Sequence, residues 1–360
     1  DSCLHVPILT IHNIQYCHHV LLAMNPCQTL VFVPHLLLLA AALASQAGAL
    51  QVSSAESAEA SVDSAKHRGS ASLWQAAWEG LDNKPHTQKE LDALVELGCE
   101  DIENKTAQRY IMLGPQDSGT NLLHALLRQN YPTQICLIKD AIWKHANSGA
   151  ESIYKRLHAS LGPELGNIVL LHTTRSPLSQ VASWRKAPYE LETCVTKHIL
   201  KPCAARMSAM EDRAVISAPH QNDLIQFASV MDVYNKYMEE YATLHKLGGF
   251  KDVVAVTYED MVYSPQQVLE DIVSHFDHVA QPAEFRMIST AAKSHGYAVG
   301  REDALKKLQQ RTYMTEFSPQ LKEKLCGLLD KDLVQGIVQG QYLESTKRRS
   351  YLSDCDHGAD

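Results

Sequence analysis

The sequence has no CxxC pair and no Cys/His spacing that builds a zinc site, and its nine cysteines lie too far apart over 360 residues to form a disulfide scaffold. Positive charge is also in short supply: 33 Lys and Arg stand against 41 Asp and Glu, a net charge of -8. The bulk chain therefore makes no electrostatic case for nucleic acid, and any anion must be held by a local site. A continuous apolar stretch of about 20 residues, which a spanning helix needs, is missing as well. The longest candidate, Leu30 to Ala44, is interrupted by Pro34 and His35. What the chain does have, 45% hydrophobic and 21% charged residues, excludes disorder throughout and suffices for one large domain or two small ones.

The apolar run from Leu30 ends in the small residues Ser45, Ala47, Gly48 and Ala49, as secretory signals do before their cleavage site. No Lys or Arg precedes Lys66, so the positive flank that would hold a signal anchor is missing. The expectation is a cleaved signal and passage into the secretory pathway, to the Golgi lumen or the exterior. An uncleaved type II membrane anchor and a buried core helix are the alternatives. Met24 would make a natural start with a short leading region, residues 1–23 then being upstream translation or part of something longer. Ser53 to Ser72 is rich in Ser and Ala without aromatics or apolar period, and reads as a linker. In an oxidising compartment Cys194 and Cys203, nine positions apart, form the expected local disulfide; two buried free thiols are the competing reading.

Beyond the linker the pattern becomes that of a folded domain. Leu73 to Leu97 has helical spacing. Arg109 to Leu113 then reads as a strand, followed by a glycine turn and a helix over Thr120 to Gln129. Asn167 to His172 and Asp252 to Tyr258 are two more strands of buried type, the first leading into a helix ending at Lys186 and the second into one over Pro265 to Phe276. Asn222 to Leu247 and Pro319 to Leu333 read as further helices. Alternating strands and helices predict an α/β fold with a parallel β-sheet flanked by helices.

Gly114 to Gly119 (GPQDSG) forms a G-x-x-x-x-G loop between the first strand and its helix, a setting in which backbone N–H groups and a helix N-terminus bind phosphate. A nucleoside-triphosphatase loop would continue with Lys and then Ser or Thr, for the terminal phosphates and magnesium. Here Thr120 and Asn121 follow, and no acidic residue closes the second strand, where Leu171 leads into His172 and Thr173. The loop therefore suits a nucleotide phosphate held by N–H groups and hydroxyls without metal. A purely structural turn is the bland alternative. Arg175, Pro177 and Ser183 follow the second strand, Ser183 eight positions beyond Arg175 and so on the same side of a helix two turns on. The Arg can fork onto a phosphate and the Ser add a further bond.

These residues carry a resemblance. Ser118, Gly119 and Thr120 after a strand, Arg175-x-Pro177 with Ser183 eight beyond the Arg, and Tyr258, Glu259, Asp260 and Met261 at a third strand end are similar in order and spacing to the sulfotransferases that use 3'-phosphoadenosine 5'-phosphosulfate (PAPS). The similarity runs from Gln108 to Leu343. It implies a P-loop-like sulfotransferase architecture, with Ser118, Gly119, Thr120 and Asn121 at the 5'-phosphosulfate and Arg175 and Ser183 at the 3'-phosphate. The organisation expected is a signal segment over 1–50, a linker over 51–72, a helical lead-in over 73–107, the sulfotransferase-like domain over 108–345 and a polar tail over 346–360.

The chain departs from that family at three points. Asp117 stands where many members have the Lys that stabilises the breaking bond, Leu122 stands where a Trp often stacks on adenine, and the late Arg-Lys-Gly loop has no clear counterpart. Arg301, Lys306, Lys307 and Arg311 lie in the right third of the chain but read as a solvated helix face. Trp143, Lys144 and His145 lie in the stretch from which the family draws its base, so Lys144 and His145 are the expected cation and base, with Trp143 as core or pocket wall. Of the 18 histidines, His124 and His172 fall where packing or capping is ordinary.

The expected activity is transfer of a sulfonate group from PAPS, as co-substrate and without metal, to a hydroxyl or amine on a small-molecule or glycan acceptor. No nucleic-acid partner is expected, and a membrane only if the N-terminal segment remains as an anchor. The alternatives are a P-loop kinase or hydrolase and a catalytically inactive nucleotide- or glycan-binding relative. The segment from Ala187 to Gln221 is expected to border the acceptor cleft.

Overall fold

A computed structural model describes residues 88–206, 224–290, 300–340 and 353–356. The signal segment, the linker and the first part of the helical lead-in lie outside the described residues. In the described part of the lead-in, helix α1 spans Gln88–Leu94. Strand β1 (Gln108–Leu113), helix α2 (Thr120–Asn130), strand β2 (Ile135–Leu137) and helix α3 (Ala150–Leu161) follow. Strand β3 (Ile168–Thr174) then leads into helix α4 (Pro177–Lys186).

β1, β2, β3 and a later strand, β6 (Asp252–Thr257), form one sheet in the order β2-β1-β3-β6, parallel at every pairing. Side chains alternate across it. Ile111, Leu113, Ile168, Leu170, Val253 and Ala255 face one apolar layer, while Tyr110, Met112, Val169, Leu171, Val254 and Val256 face the other. Burial on both faces explains why these strands are continuous apolar runs rather than alternating ones. The first layer is closed by α3, α4 and a long helix, α5 (Val230–Leu247), and the second by α1, α2 and a later helix, α7 (Pro265–Val273). Because β1 lies between β2 and β3, the chain leaves β1 toward one side and later returns to the other. The crevice beyond the carboxyl ends of β1 and β3 is thus the switch point at which open α/β sheets bind ligands.

Two expected helices are corrected. The helix expected from Asn222 begins at Val230, where Ser229 Oγ accepts the N–H of Asp232. Leu224–Phe227 is instead strand β5, paired antiparallel with strand β4 (Cys203–Arg206). The helix expected over Pro319 to Leu333 is two, α9 (Pro319–Gly327) and α10 (Lys331–Gly340), because Asp330 Oδ1 accepts the N–H of Leu333 and starts the second. A short helix, α6 (Tyr258–Tyr263), precedes α7, capped by Thr257, and α8 (Arg301–Gln309) lies before α9. The 346–360 tail contains a helical turn, α11 (Ser353–Asp356), joined to α9 by a Cys326–Cys355 disulfide.

Cys194 and Cys203 are disulfide-bonded, and so are Cys99 and Cys136, 37 positions apart. Among the described residues no helix is long and apolar enough to cross a membrane.

Candidate functional site

β1 ends at Leu113 and the chain turns through Gly114–Gly119 into α2. The loop is tied down from inside. Ser118 is fully buried; its Oγ donates to the Pro115 carbonyl at 2.7 Å and lies 2.6 Å from Thr173 Oγ1 at the end of β3. That hydroxyl is thus engaged within the protein. A side chain at Gly114 would collide with Thr173 Oγ1, so the loop closes directly on β3. Asp117 and Gly119 have left-handed backbones, φ 62° and 98°, and a Cβ at Gly119 would lie 2.7 Å from Met261 Cε. Gly119 is the N-cap of α2 and brings no side chain to its first turn, whose N–H groups therefore point at the loop, an arrangement suited to an anion. Thr120 begins α2 and is buried; Asn121 is half-buried beside it.

The segment from Trp143 to His145 runs alongside this loop. Gly114 donates its N–H to the Lys144 carbonyl at 2.8 Å, and its own carbonyl lies 2.6 Å from His145 Nδ1. A carbonyl only accepts, so Nδ1 is the protonated nitrogen of the neutral ring and the lone pair belongs to Nε2. The imidazole stands edge-on to Trp143, with ring centres 5.5 Å apart, and the His145 carbonyl accepts from Tyr237 Oη at 2.8 Å. Lys144 Nζ donates to Asn121 Oδ1 at 2.6 Å, at the first turn of α2. The cation and the imidazole expected to serve the loop are both against it.

On the other side, Arg175 leaves the end of β3. Its Nη1 donates to Ser183 Oγ at 3.0 Å and to the Asp117 carbonyl at 3.3 Å, so one guanidinium joins the helix of the R-x-P motif to the glycine loop. Ser179, one turn before Ser183, accepts from Arg175 Nε at 2.7 Å. The guanidinium also lies over the Tyr258 ring, 4.0 Å from its centre. Ser179 was legible in the sequence as the position four beyond Arg175 on the same helix face; the stacking on Tyr258 depends on how β6 sits beside β3. Glu259 Oε1 accepts the Ser176 N–H at 3.1 Å. Burial raises the Glu259 carboxyl above its ordinary range, and the charge of Arg175 works against that shift.

Asp117 is engaged by the segment after α4. Tyr189 Oη donates to Asp117 Oδ1 at 3.3 Å, and Gln116 Nε2 donates to Glu190 Oε2 at 3.1 Å. The start of the segment expected to border an acceptor cleft is thereby joined to the glycine loop, and its disulfide follows directly. The two histidines expected to pack do so. His124 Nδ1 lies 2.6 Å from Tyr110 Oη, and burial, aided by the charge of Arg128, lowers its pKa to about 3. His172 is fully buried with its ring 4.3 Å from that of Tyr241.

Asp260, the second acid of the third motif, serves the Thr257 cap of α6: Thr257 Oγ1 donates to Asp260 Oδ2 at 2.5 Å and accepts the Asp260 N–H at 3.1 Å. Among the described residues no group of three His, Cys, Asp or Glu side chains could hold a metal ion. The chain matches no protein-family model, no curated protein and no solved structure.

Proposed function

We propose that the chain transfers a sulfonate group from PAPS to an acceptor hydroxyl or amine, and that its sheet belongs to a P-loop-like sulfotransferase architecture. The observation that carries this reading is the bridge from Arg175 to both Ser183 Oγ and the Asp117 carbonyl. It sets a cation and a hydroxyl one short step from a glycine loop, a spacing suited to a nucleotide with a phosphate at each end of its ribose.

In this reading the 5'-phosphosulfate lies on the N–H groups of Gly119, Thr120 and Asn121, and the 3'-phosphate on Arg175 and Ser183. The acceptor oxygen or nitrogen attacks sulfur in line, forming the new bond as the bond from sulfur to the bridging phosphate oxygen breaks. The electron pair of that bond leaves with 3',5'-ADP, and the acceptor's proton passes to His145 Nε2. Lys144, held at the first turn of α2, stabilises the charge on the leaving oxygen, the task that Asp117 cannot perform. Such a reaction needs mainly positioning and charge stabilisation. Three disulfides among the described residues support folding in an oxidising compartment, and with it a secretory setting and a glycan or small-molecule acceptor.

The test is direct. The protein is first titrated with 3',5'-ADP and with ATP and magnesium, then incubated with PAPS carrying labelled sulfate and a panel of glycan, phenolic and amine acceptors. Label on an acceptor is the expected result. Binding of 3',5'-ADP with no transfer across the panel would favour a nucleotide-binding protein without activity, for which Asp117 is the supporting observation. Stronger thermal protection by ATP and magnesium than by 3',5'-ADP would overturn the reading in favour of a kinase or hydrolase.

A further inference from the structure

The helical turn at the end of the chain is fastened to the phosphate side of the site. Cys355 is disulfide-bonded to Cys326 of α9, and its carbonyl accepts from Lys331 Nζ at 2.9 Å. These two ties bury Asp354, only 8% exposed, against three partners. Asp354 Oδ2 accepts from Tyr313 Oη at 2.8 Å and from Ser176 Oγ at 3.3 Å, and Oδ1 pairs with Arg311 Nη2 at 3.0 Å. A carboxylate with two hydroxyl donors and a guanidinium is well satisfied, so the contact is a built one.

Ser176 is the residue between Arg175 and Pro177. The corner it occupies is gripped from three directions: Tyr234 Oη of α5 donates to the Arg175 carbonyl at 2.9 Å, Glu259 accepts the Ser176 N–H, and Asp354 accepts the Ser176 hydroxyl. Each grip fixes the backbone from which the Arg175 side chain departs toward Ser183. The third comes from 178 positions further along the chain.

We infer that Asp354 is a positioning residue that holds the Arg175–Pro177 corner ready for a 3'-phosphate. The inference rests on the nucleotide reading above and adds a residue outside its motifs. In this role Asp354 touches no ligand. It acts through Ser176, so that Arg175 does not have to be ordered when the ligand arrives, and preorganisation of one long side chain is worth about three- to tenfold in affinity. The competing role is that Asp354 merely anchors the end of the chain. An anchor would affect stability, or both ends of a nucleotide alike, and would leave the discrimination between nucleotides unchanged.

The experiment is calorimetric titration of 3',5'-ADP and of 5'-AMP into the full chain, as wild type, Asp354→Asn, Ser176→Ala and the double variant. The one oxygen of Asn is kept by Arg311, which sets an NH2 against the Ser176 hydroxyl in place of an acceptor. Each single variant is therefore expected to lose about three- to tenfold in 3',5'-ADP affinity with 5'-AMP within about twofold. The double variant should lose no more than the larger single, because the route from Asp354 to the corner runs through the Ser176 hydroxyl and can be lost only once. An unchanged ratio between the nucleotides in folded variants, or additive losses, would overturn the role of Asp354 and leave the sulfotransferase reading standing. A wild-type protein that binds 5'-AMP as tightly as 3',5'-ADP would overturn both. Ser176→Ala leaves the Asp354 contacts to Arg311 and Tyr313 in place, so it carries the test alone if Asp354→Asn does not fold.

Discussion

Lys144 Nζ donates to Asn121 Oδ1 at 2.6 Å, bringing a cation from the segment before α3 to the first turn of α2, two residues beyond Gly119. The loop itself carries an acid, Asp117, whose carboxylate accepts from Tyr189. In the proposed reaction the charge that a leaving phosphate oxygen needs would therefore come from outside the loop. Lys144→Ala is expected to lower turnover about 10²- to 10³-fold, the usual cost of one electrostatic donor. Affinity for 3',5'-ADP should fall far less, because the N–H groups and Arg175 remain. Steady-state transfer rates set beside calorimetric affinities check this, and equal losses in both would assign Lys144 to ground-state binding.

On the proposed reading, Arg175 serves one end of the nucleotide and the glycine loop the other. Arg175→Ala should weaken 3',5'-ADP about ten- to a hundredfold, a charged hydrogen bond being worth roughly 1.5 to 3 kcal/mol, and leave 5'-AMP nearly unchanged. Gly119→Ala should weaken both nucleotides. Its backbone has φ 98° and its Cβ would meet Met261 and Tyr258, so the loop must shift wherever the 5'-phosphate approaches. Titration of the two nucleotides into each variant distinguishes them. Equal losses of both nucleotides in Arg175→Ala would remove it from the 3'-phosphate.

How much of this could be read from the chain depended on whether the information was local. β1, β3 and β6 were legible because each is buried on both faces and so is an unbroken apolar run. β2 has only three residues, too few to show a period. Leu224–Phe227 continues into the helical pattern of α5, and its strand character comes from pairing with Cys203–Arg206, which the local sequence does not show. The glycine loop and the Arg175 to Ser183 spacing lie within strand–turn–helix units, so their geometry follows from the number of residues between them. Cys194 and Cys203 share one short segment, whereas Cys326 and Cys355 are brought together by tertiary packing. Asp354 was hidden for the same reason, in a stretch that by composition is a polar tail.

Glu240 gives the fold a pH dependence independent of the site. It is 5% exposed on α5, its Oε1 accepts the Gly149 N–H, and burial raises its pKa from 4.5 to about 8. The folded state therefore keeps a proton on Glu240 that the unfolded chain gives up above pH 4.5. Stability from this group is complete below that value, declines as the pH rises toward 8 and is lost once the folded-state carboxyl ionises. Glu240→Gln keeps an oxygen for the Gly149 N–H and cannot ionise. Thermal unfolding between pH 5 and pH 8 should show a melting temperature that falls more steeply with pH in the wild type than in Glu240→Gln, and parallel slopes would exclude Glu240 as the cause.

His145 is expected to carry the chemical step, for a reason that lies in its tautomer. The Gly114 carbonyl, 2.6 Å from Nδ1, can only accept, so the neutral ring holds its proton there and offers Nε2 as the base. The same carbonyl belongs to the first residue of the glycine loop, which ties the position of the imidazole to the loop proposed to hold the phosphosulfate. Trp143 fixes the plane of the ring from its edge. His145→Ala should therefore lose about 10²- to 10⁴-fold in transfer, the usual contribution of a positioned general base, with 3',5'-ADP affinity within about twofold. His145→Gln tests positioning separately from basicity, since it offers an amide in place of the ring but takes up no proton at neutral pH; it should be as inactive as the alanine variant. Wild-type turnover in His145→Ala between pH 6 and pH 8 would remove His145 as the base. His172 would not simply take its place, because its ring is fully buried against Tyr241 within the sheet's own layer, and a base would then have to come from the acceptor side of the cleft.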